Sequence, residues 1–128
     1  MRTLSFHVSV GDCDFGHNSN LCLCKIMEKY NKLVRDKIPD LIAGKGESTE
    51  THVADDVEFE EKLHAKLREE VEEFLQSESI EELADIFEVT DAIMELHGFD
   101  AGEVKGVQEK KRNERGGFKK RIILDSTG

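Results

Sequence analysis

Two pairs of acidic residues, set three positions apart in an amphipathic stretch, constrain this chain more than any other feature. In residues 62–96 the apolar side chains recur every three or four positions, which predicts two amphipathic helices joined by a short turn. Glu70 and Glu73 lie in the first predicted helix, and Glu82 and Asp85 lie in the second. Because residues three apart share one face of a helix, each pair presents its two carboxylates together.

The helical periodicity directs these acids toward the apolar faces of the two helices. Glu70 falls inside the edge of the first apolar stripe, and Glu73 falls just outside it. Glu82 points into the middle of the second stripe, in nearly the same direction as Val89, and Asp85 lies at its border. An ionised carboxylate that faces a core is costly unless it is paired or binds a metal. The four acids are therefore candidate metal ligands.

Four carboxylates that face one another would have raised pKa values unless a cation lay between them. A hard divalent ion suits an oxygen-only site, so we expect Mg²⁺ or, in its place, Mn²⁺. The other acids of the two helices are interpreted as a solvated surface: Glu69, Glu72, Glu81, Glu88 and Glu95.

Glu82 also has a purely structural interpretation. Ser79 and Glu82 have the spacing of a capping box, in which the Glu side chain bonds back to the backbone amide of the capping Ser. The pattern alone leaves metal binding and helix capping equally open for Glu82.

The charge of the chain is concentrated in the same region. The net charge is −10, and residues 55–100 hold 17 acids against 3 bases, whereas residues 101–128 hold 4 acids against 8 bases. So acidic a middle argues against a protein that acts mainly on nucleic-acid backbones. An acidic centre beside a basic tail fits a metal–polyphosphate ligand, because carboxylates bind the metal and cations bind the phosphates.

The length of 128 residues is that of one domain. Residues 1–26 contain all three cysteines and almost no helical periodicity, so we interpret them as an N-terminal extension without an assigned function. The functional domain is then residues 27–128. Within the extension, Cys22, Cys24 and His17 do not have a usual zinc-ligand spacing and lack a fourth ligand.

The amino-acid composition indicates in which environment the chain folds and whether it associates with further copies. No run of about 18 apolar residues exists, which argues against a membrane span. The cysteines imply no disulfide framework, and a reducing cytoplasm fits this pattern. Seven Phe, one Tyr and no Trp make a thin core, so we expect association through helix faces into a homodimer or higher homo-oligomer.

Capping residues predict an all-α chain around the two acidic helices. Asp36 is a candidate N-cap for a short helix that Gly44 ends, and Asp55 begins the long helix. The remaining helices are predicted at about 55–76, 80–97 and 101–115. Residues 121–124 fit either a short strand or an apolar tail.

Two cations continue the apolar stripe of the last predicted helix. Val104, Val107, Lys111 and Arg115 follow one another at intervals of three or four residues. Lys111 and Arg115 would either bind phosphates or interact favourably with the C-terminal end of the helix.

The acidic pattern resembles the metal-binding signature of a known superfamily. Glu69-Glu70-x-x-Glu73 followed by Glu82-x-x-Asp85 is similar to the motif of the MazG-type all-α nucleoside triphosphate pyrophosphatases, which include phosphoribosyl-ATP pyrophosphohydrolases and dimeric dUTPases. The segments NKLVRDKIP at 31–39 and KRNERGGF at 111–118 resemble a small bacterial and archaeal branch of predicted house-cleaning pyrophosphatases. The resemblance covers about residues 27–124.

The resemblance implies a helical bundle that is completed by oligomerisation and that hydrolyses a nucleoside triphosphate between its α and β phosphates. The products would be the monophosphate and pyrophosphate. The implied catalytic and Mg²⁺-binding residues are Glu70, Glu73, Glu82 and Asp85. The implied phosphate-binding residues are Lys111 and Arg115, together with Arg35 and Lys37. The connection between the two acidic motifs, residues 74–81, is shorter than in some members, so the shape of the base pocket stays open.

Two alternatives are compatible with the same residues. The substrate of such an enzyme could be phosphoribosyl-ATP or another pyrophosphate-linked nucleotide. The chain could instead be a non-catalytic acidic helical module that binds a nucleotide or a protein partner.

Overall fold

The computed structural model describes residues 30–128, and along them the chain forms four α-helices and no strand. The predicted extension, residues 1–26, and its cysteines lie outside the described residues. The helices are α1 (Ile38–Ala43), α2 (Asp56–Ser77), α3 (Ile80–His97) and α4 (Ala101–Arg115). The all-α class is therefore confirmed.

The described residues separate into two compact units, which divide after Thr90 within α3. The first unit contains α1, α2 and the larger part of α3. The second begins at Asp91 and contains the end of α3, α4 and the C-terminal tail. No described helix is both long enough and apolar enough to cross a membrane.

An Asp side chain caps the N-terminus of α2 and of α4. At α2, an Asp55 carboxylate oxygen accepts the backbone N–H of Glu58 at 2.8 Å, as the sequence predicts. At α4, Asp100 accepts the N–H of Glu103 at 3.1 Å in the same way. The turn between α2 and α3 passes through Glu78, which adopts a left-handed conformation with φ 50°.

The start of α1 differs from the prediction. Lys37, and not Asp36, precedes the helix, and within the described residues no side chain caps it. Pro39 lies in the first turn, where its missing N–H has no helical partner to lose, and Gly44 ends the helix as expected. The prediction of Asp36 as the cap was wrong, because α1 begins at Ile38 and Lys37 is therefore in the N-cap position.

The core of the first unit is unusually acidic. Among residues 30–90, the buried apolar side chains are Ile38, Leu63 and Val89, one from each of the three helices. An equal number of buried residues are acids: Glu70, Glu82 and Asp85. The helical faces that the sequence marks as apolar therefore enclose carboxylates as well as hydrophobic side chains.

The second unit has no buried residue on α4. Val104 and Val107, on the predicted apolar stripe, are exposed, and so is Phe99, whose ring stacks on His97 with 5.3 Å between the ring centroids. Residues 121–124 form an exposed tail without regular structure, so the strand considered for them is not formed.

Candidate metal centre

The pairing of α2 and α3 brings three of the predicted metal ligands together. Glu70 projects from α2, and Glu82 and Asp85 project from α3. They are 2%, 1% and 8% exposed, respectively, and one carboxylate oxygen of each lies within 4.8 Å of the other two. Three carboxylates at this spacing form an oxygen-only donor set of the kind that Mg²⁺ prefers.

Glu73, the fourth predicted ligand, lies next to this group and interacts with two of its members. Burial, the charge of Glu70, and the hydrogen bonds that a protonated Glu73 carboxyl can donate to Glu70 and Glu82 together raise the pKa of Glu73 to about 7. Near neutral pH the Glu73 carboxyl therefore holds a proton for part of the time, because a further negative charge beside Glu70 and Glu82 is unfavourable.

Two buried carboxylate oxygens of the cluster are relevant to whether these residues can bind a cation. Oε2 of Glu70 and Oε2 of Glu73 are buried, and with both carboxyl groups ionised neither accepts a hydrogen bond from any described residue. A buried acceptor without a partner costs free energy that a bound cation would recover. The donor chemistry and the orphaned oxygens both fit a hard divalent ion.

Lys66 is a partly buried cation beside the cluster. Its Nζ donates to Glu70 Oε1 at 2.9 Å and to Glu69 Oε1 at 3.4 Å, and its side chain is 13% exposed. Burial acts to lower the pKa of Lys66, but the hydrogen bonds and charges of Glu70 and Glu69 outweigh it, so this pKa lies above its usual value. Lys66 is therefore positively charged at neutral pH.

Glu69 forms ion pairs with Lys66 and with Lys32, a residue of the segment that precedes α1. It also accepts a hydrogen bond from Lys32 Nζ at 2.9 Å. Burial acts to raise the pKa of Glu69, but the hydrogen bonds and charges of Lys32 and Lys66 outweigh this effect. The pKa of Glu69 therefore lies below its usual value. The interpretation of Glu69 as part of a solvated surface was wrong, since Glu69 links two lysines.

Arg35 reaches the cluster from the segment that precedes α1. Its Nη2 donates to Asp85 Oδ1 at 2.6 Å, and 47% of its side chain remains exposed. Burial and the charge of Glu70 raise the pKa of Asp85, while Arg35 and Lys66 act to lower it. The two cations thus offset the acidic cluster only in part.

The structure places the remaining predicted residues on the surface. Lys37 is exposed just before α1. Lys111 and Arg115 are exposed on α4, in the second unit. Their predicted role in phosphate binding stays a prediction.

Glu82 takes part in the start of α3 through its backbone and in the acidic cluster through its side chain. Ser79 Oγ accepts the backbone N–H of Glu82 at 3.4 Å, which is one half of the predicted capping box. The Glu82 carboxylate lies in the acidic cluster at the same time. The backbone of Glu82 therefore helps to begin α3 while its side chain contributes to the candidate site.

No family model, curated protein or solved structure matches this chain.

Lys66 and Lys32 are the members of this region that the sequence interpretation missed. For Lys66 a signal was present, because it follows Leu63 by three residues and precedes Glu70 by four, and both of these are buried. Lys32 carries no such signal, since its partner Glu69 is 37 residues away in the sequence.

Proposed function

We propose that this chain is a Mg²⁺-dependent hydrolase that cleaves a nucleoside triphosphate between the α and β phosphates and releases the monophosphate and pyrophosphate. The observation that supports this most is the buried group of Glu70, Glu82 and Asp85, whose oxygens lie within 4.8 Å of one another. Among the described residues, as many acids as apolar side chains are buried, three of each; burying these acids is costly, and a cation-binding role accounts for that cost.

The acids of the site would hold the ion from two sides. Glu70, with Glu73 beside it, would bind from α2, and Glu82 and Asp85 would bind from α3. When bound, a divalent ion supplies positive charge to phosphate oxygens and lowers the pKa of an attached water. Because the carboxylates sit on two packed helices, their separation is fixed before any substrate arrives.

Arg35 suits the phosphate-binding role implied for it. Its Nη2 donates to Asp85, and about half of its side chain remains exposed. Guanidinium groups bind phosphate oxygens through several parallel N–H donors. Arg35 would therefore orient a phosphate beside the carboxylates, and Lys37, Lys111 and Arg115 are proposed as further phosphate ligands.

A homodimer or higher homo-oligomer is part of this proposal. Leu75 on α2 and Leu83 and Phe87 on α3 are large apolar residues that remain exposed in the first unit. Exposed apolar residues grouped on helices are typical of association surfaces. A cytoplasmic location, where nucleoside triphosphates are abundant, is also proposed.

A pyrophosphate-release assay tests the function. We would incubate the full chain with normal and damaged nucleoside triphosphates and with phosphoribosyl-ATP, in Mg²⁺ or in EDTA, and separate the products chromatographically. We expect equal amounts of monophosphate and pyrophosphate, in Mg²⁺ only. Release only from phosphoribosyl-ATP would select the first alternative substrate.

A matched pair of variants links the activity to the site. Glu81→Gln changes an exposed acid beside Glu82 and should retain activity, whereas Glu82→Gln should lose it. Absence of pyrophosphate from every substrate, in protein that is folded and binds Mn²⁺, would refute hydrolysis and favour the non-catalytic nucleotide-binding alternative.

A further inference from the structure

An ion pair joins Arg35 to the acidic cluster. The Arg35 Nη2 donates to Asp85 Oδ1 at 2.6 Å, and among the described residues Asp85 is the only side chain with which Arg35 pairs. Asp85 is also one of the three acids whose oxygens lie within 4.8 Å of one another. One carboxylate is therefore shared between a cation of the chain and the candidate metal site.

A divalent ion in this site would compete with Arg35 for Asp85. The guanidinium group withdraws negative charge from the carboxylate to which it donates, and its own positive charge repels an ion bound beside it. Glu70 shows independently that the site suits a cation, because its Oε2 is buried and, with the carboxyl group ionised, accepts no hydrogen bond from a described residue. Full use of Asp85 by the ion thus requires Arg35 to release it.

The two members of the ion pair differ in their freedom to move. Asp85 projects from α3, and its side chain is 11% exposed. Arg35 precedes α1, outside any helix, and 47% of its side chain is exposed. A guanidinium group binds phosphate oxygens as well as carboxylate oxygens, with the same planar set of N–H donors. A polyphosphate that arrives beside the cluster would draw Arg35 toward itself, while Asp85 stays in place.

We propose that Arg35 exchanges partners when the site is filled: it binds Asp85 in the free chain and a phosphate oxygen in the complex, while Asp85 passes to the divalent ion. The exchange makes the ion and the polyphosphate bind cooperatively. This inference rests on the metal and phosphate site of the proposed function. It adds to that function a coupling between the two ligands, which a phosphate-binding Arg35 alone would not supply.

The cooperativity follows from the shared ion pair. A divalent ion that binds alone must separate Asp85 from Arg35, and a polyphosphate that binds alone must separate the same two groups. The second ligand finds them already separated, so each ligand strengthens the binding of the other by the same factor. For one charge-assisted hydrogen bond with a half-exposed donor, this factor is about ten.

Binding of methylenediphosphonate to the full chain tests the inference. This anion resembles pyrophosphate, carries no base, and has a P–C–P bridge that cannot be hydrolysed. Calorimetry would measure its Kd in EDTA and in saturating Mn²⁺, and the ratio of the two values is the coupling factor. In Arg35→Met the coupling factor should fall about tenfold below that of the wild-type chain, and Mn²⁺ alone should bind about tenfold more tightly. Direct contact between Mn²⁺ and the anion contributes to both proteins and cancels in this comparison.

Lys37→Met is the matched control. Lys37 is an exposed cation two residues further along, and it makes no ion pair with a described residue. As a proposed phosphate ligand, it should strengthen anion binding equally in EDTA and in Mn²⁺, so its loss should leave the coupling factor within about twofold of wild type. Circular dichroism and thermal unfolding would show that each variant is folded.

A second pair of variants replaces Arg35→Met if that variant does not fold. Asp85→Asn and Glu70→Gln each remove one buried negative charge, but of these two acids only Asp85 contacts Arg35. In EDTA, Asp85→Asn should therefore bind methylenediphosphonate about fivefold more tightly than Glu70→Gln does.

Each outcome has a definite meaning. Equal coupling factors in the wild-type chain and in folded Arg35→Met overturn the inference, and so do equal anion affinities of Asp85→Asn and Glu70→Gln. Weaker Mn²⁺ binding by Arg35→Met also overturns it, since the ion pair would then hold Asp85 in position for the ion. Absence of Mn²⁺ binding by the wild-type chain overturns both this inference and the metal site of the proposed function. Cooperative binding that depends on Arg35, in a chain that releases no pyrophosphate, supports the inference and refutes hydrolysis alone.

Discussion

Replacement of Glu82 by Gln should stabilise the chain in the absence of divalent metal and abolish Mg²⁺-dependent hydrolysis. The Glu82 side chain is fully buried, and its oxygen lies within 4.8 Å of oxygens of Glu70 and Asp85. Two unit charges at 4.8 Å repel by about 3.5 kcal/mol at an effective dielectric constant of about 20. Lys66 and Arg35 offset part of the charge on the two neighbours. We therefore expect a net gain of about 1–2 kcal/mol in the free energy of unfolding.

Thermal unfolding in EDTA and in Mg²⁺ measures both halves of this prediction. In EDTA, Glu82→Gln should raise Tm by roughly 4–8 °C for a chain of this size. Mg²⁺ should stabilise the wild-type chain, because it binds the folded state only, and should stabilise the variant much less. Pyrophosphate release by the variant should fall to background.

Ser79→Ala separates capping from metal binding. It removes the oxygen that accepts the Glu82 backbone N–H at 3.4 Å, so it should cost at most about 1 kcal/mol, with activity retained. A lower Tm for Glu82→Gln than for wild type in EDTA would refute the argument from repulsion. Full Mg²⁺-dependent activity in that variant would remove Glu82 from the site.

Three further predictions concern pH, phosphate binding and assembly. The pKa of Glu73 is about 7 in the folded chain, whereas its ordinary value is 4.5. Between these two pH values the folded state therefore holds a proton that the unfolded state has released. In EDTA, stability should therefore fall as pH rises from about 4.5 to about 7, and Tm measured across this range should be flatter for Glu73→Gln. Lys111→Ala and Arg115→Ala should each lower kcat/KM about tenfold, against a negligible effect of Lys119→Ala; equal small effects would leave only a helix-terminus role. Phe87→Glu should lower the molar mass measured by light scattering, and an unchanged mass would exclude this face as the contact.

The sequence predicts most of the helices and the inward direction of the acids. Helical periodicity is local, and it places Glu70 and Glu82 on buried faces without knowledge of the rest of the fold. Asp55 caps α2, and α3 ends at His97 as expected, because caps and glycines also act within a few residues.

The ion pairs of the site could not be predicted in the same way. Glu69 looks like a surface acid from its position on α2, yet it pairs with Lys32 from a distant segment. Arg35 was expected to bind phosphate, and its contact with Asp85 depends on how the segment before α1 packs against the rest of the unit. Such contacts depend on tertiary packing, which the helical periodicity of the sequence does not predict.

The segment before α1 is fixed to the helix pair by charge and across long stretches of chain. Lys32 and Arg35 reach their partners over 37 and 50 residues. Contacts that close long loops form late in folding, because the loss of chain entropy precedes the gain. Ion pairs near the surface also weaken as salt screens them. This segment should therefore dock after α2 and α3 have paired and detach before they separate. Amide hydrogens of residues 30–37 would then exchange with solvent faster at high salt while those of the helix pair stay protected, so one side of the acidic cluster opens and closes within the folded state.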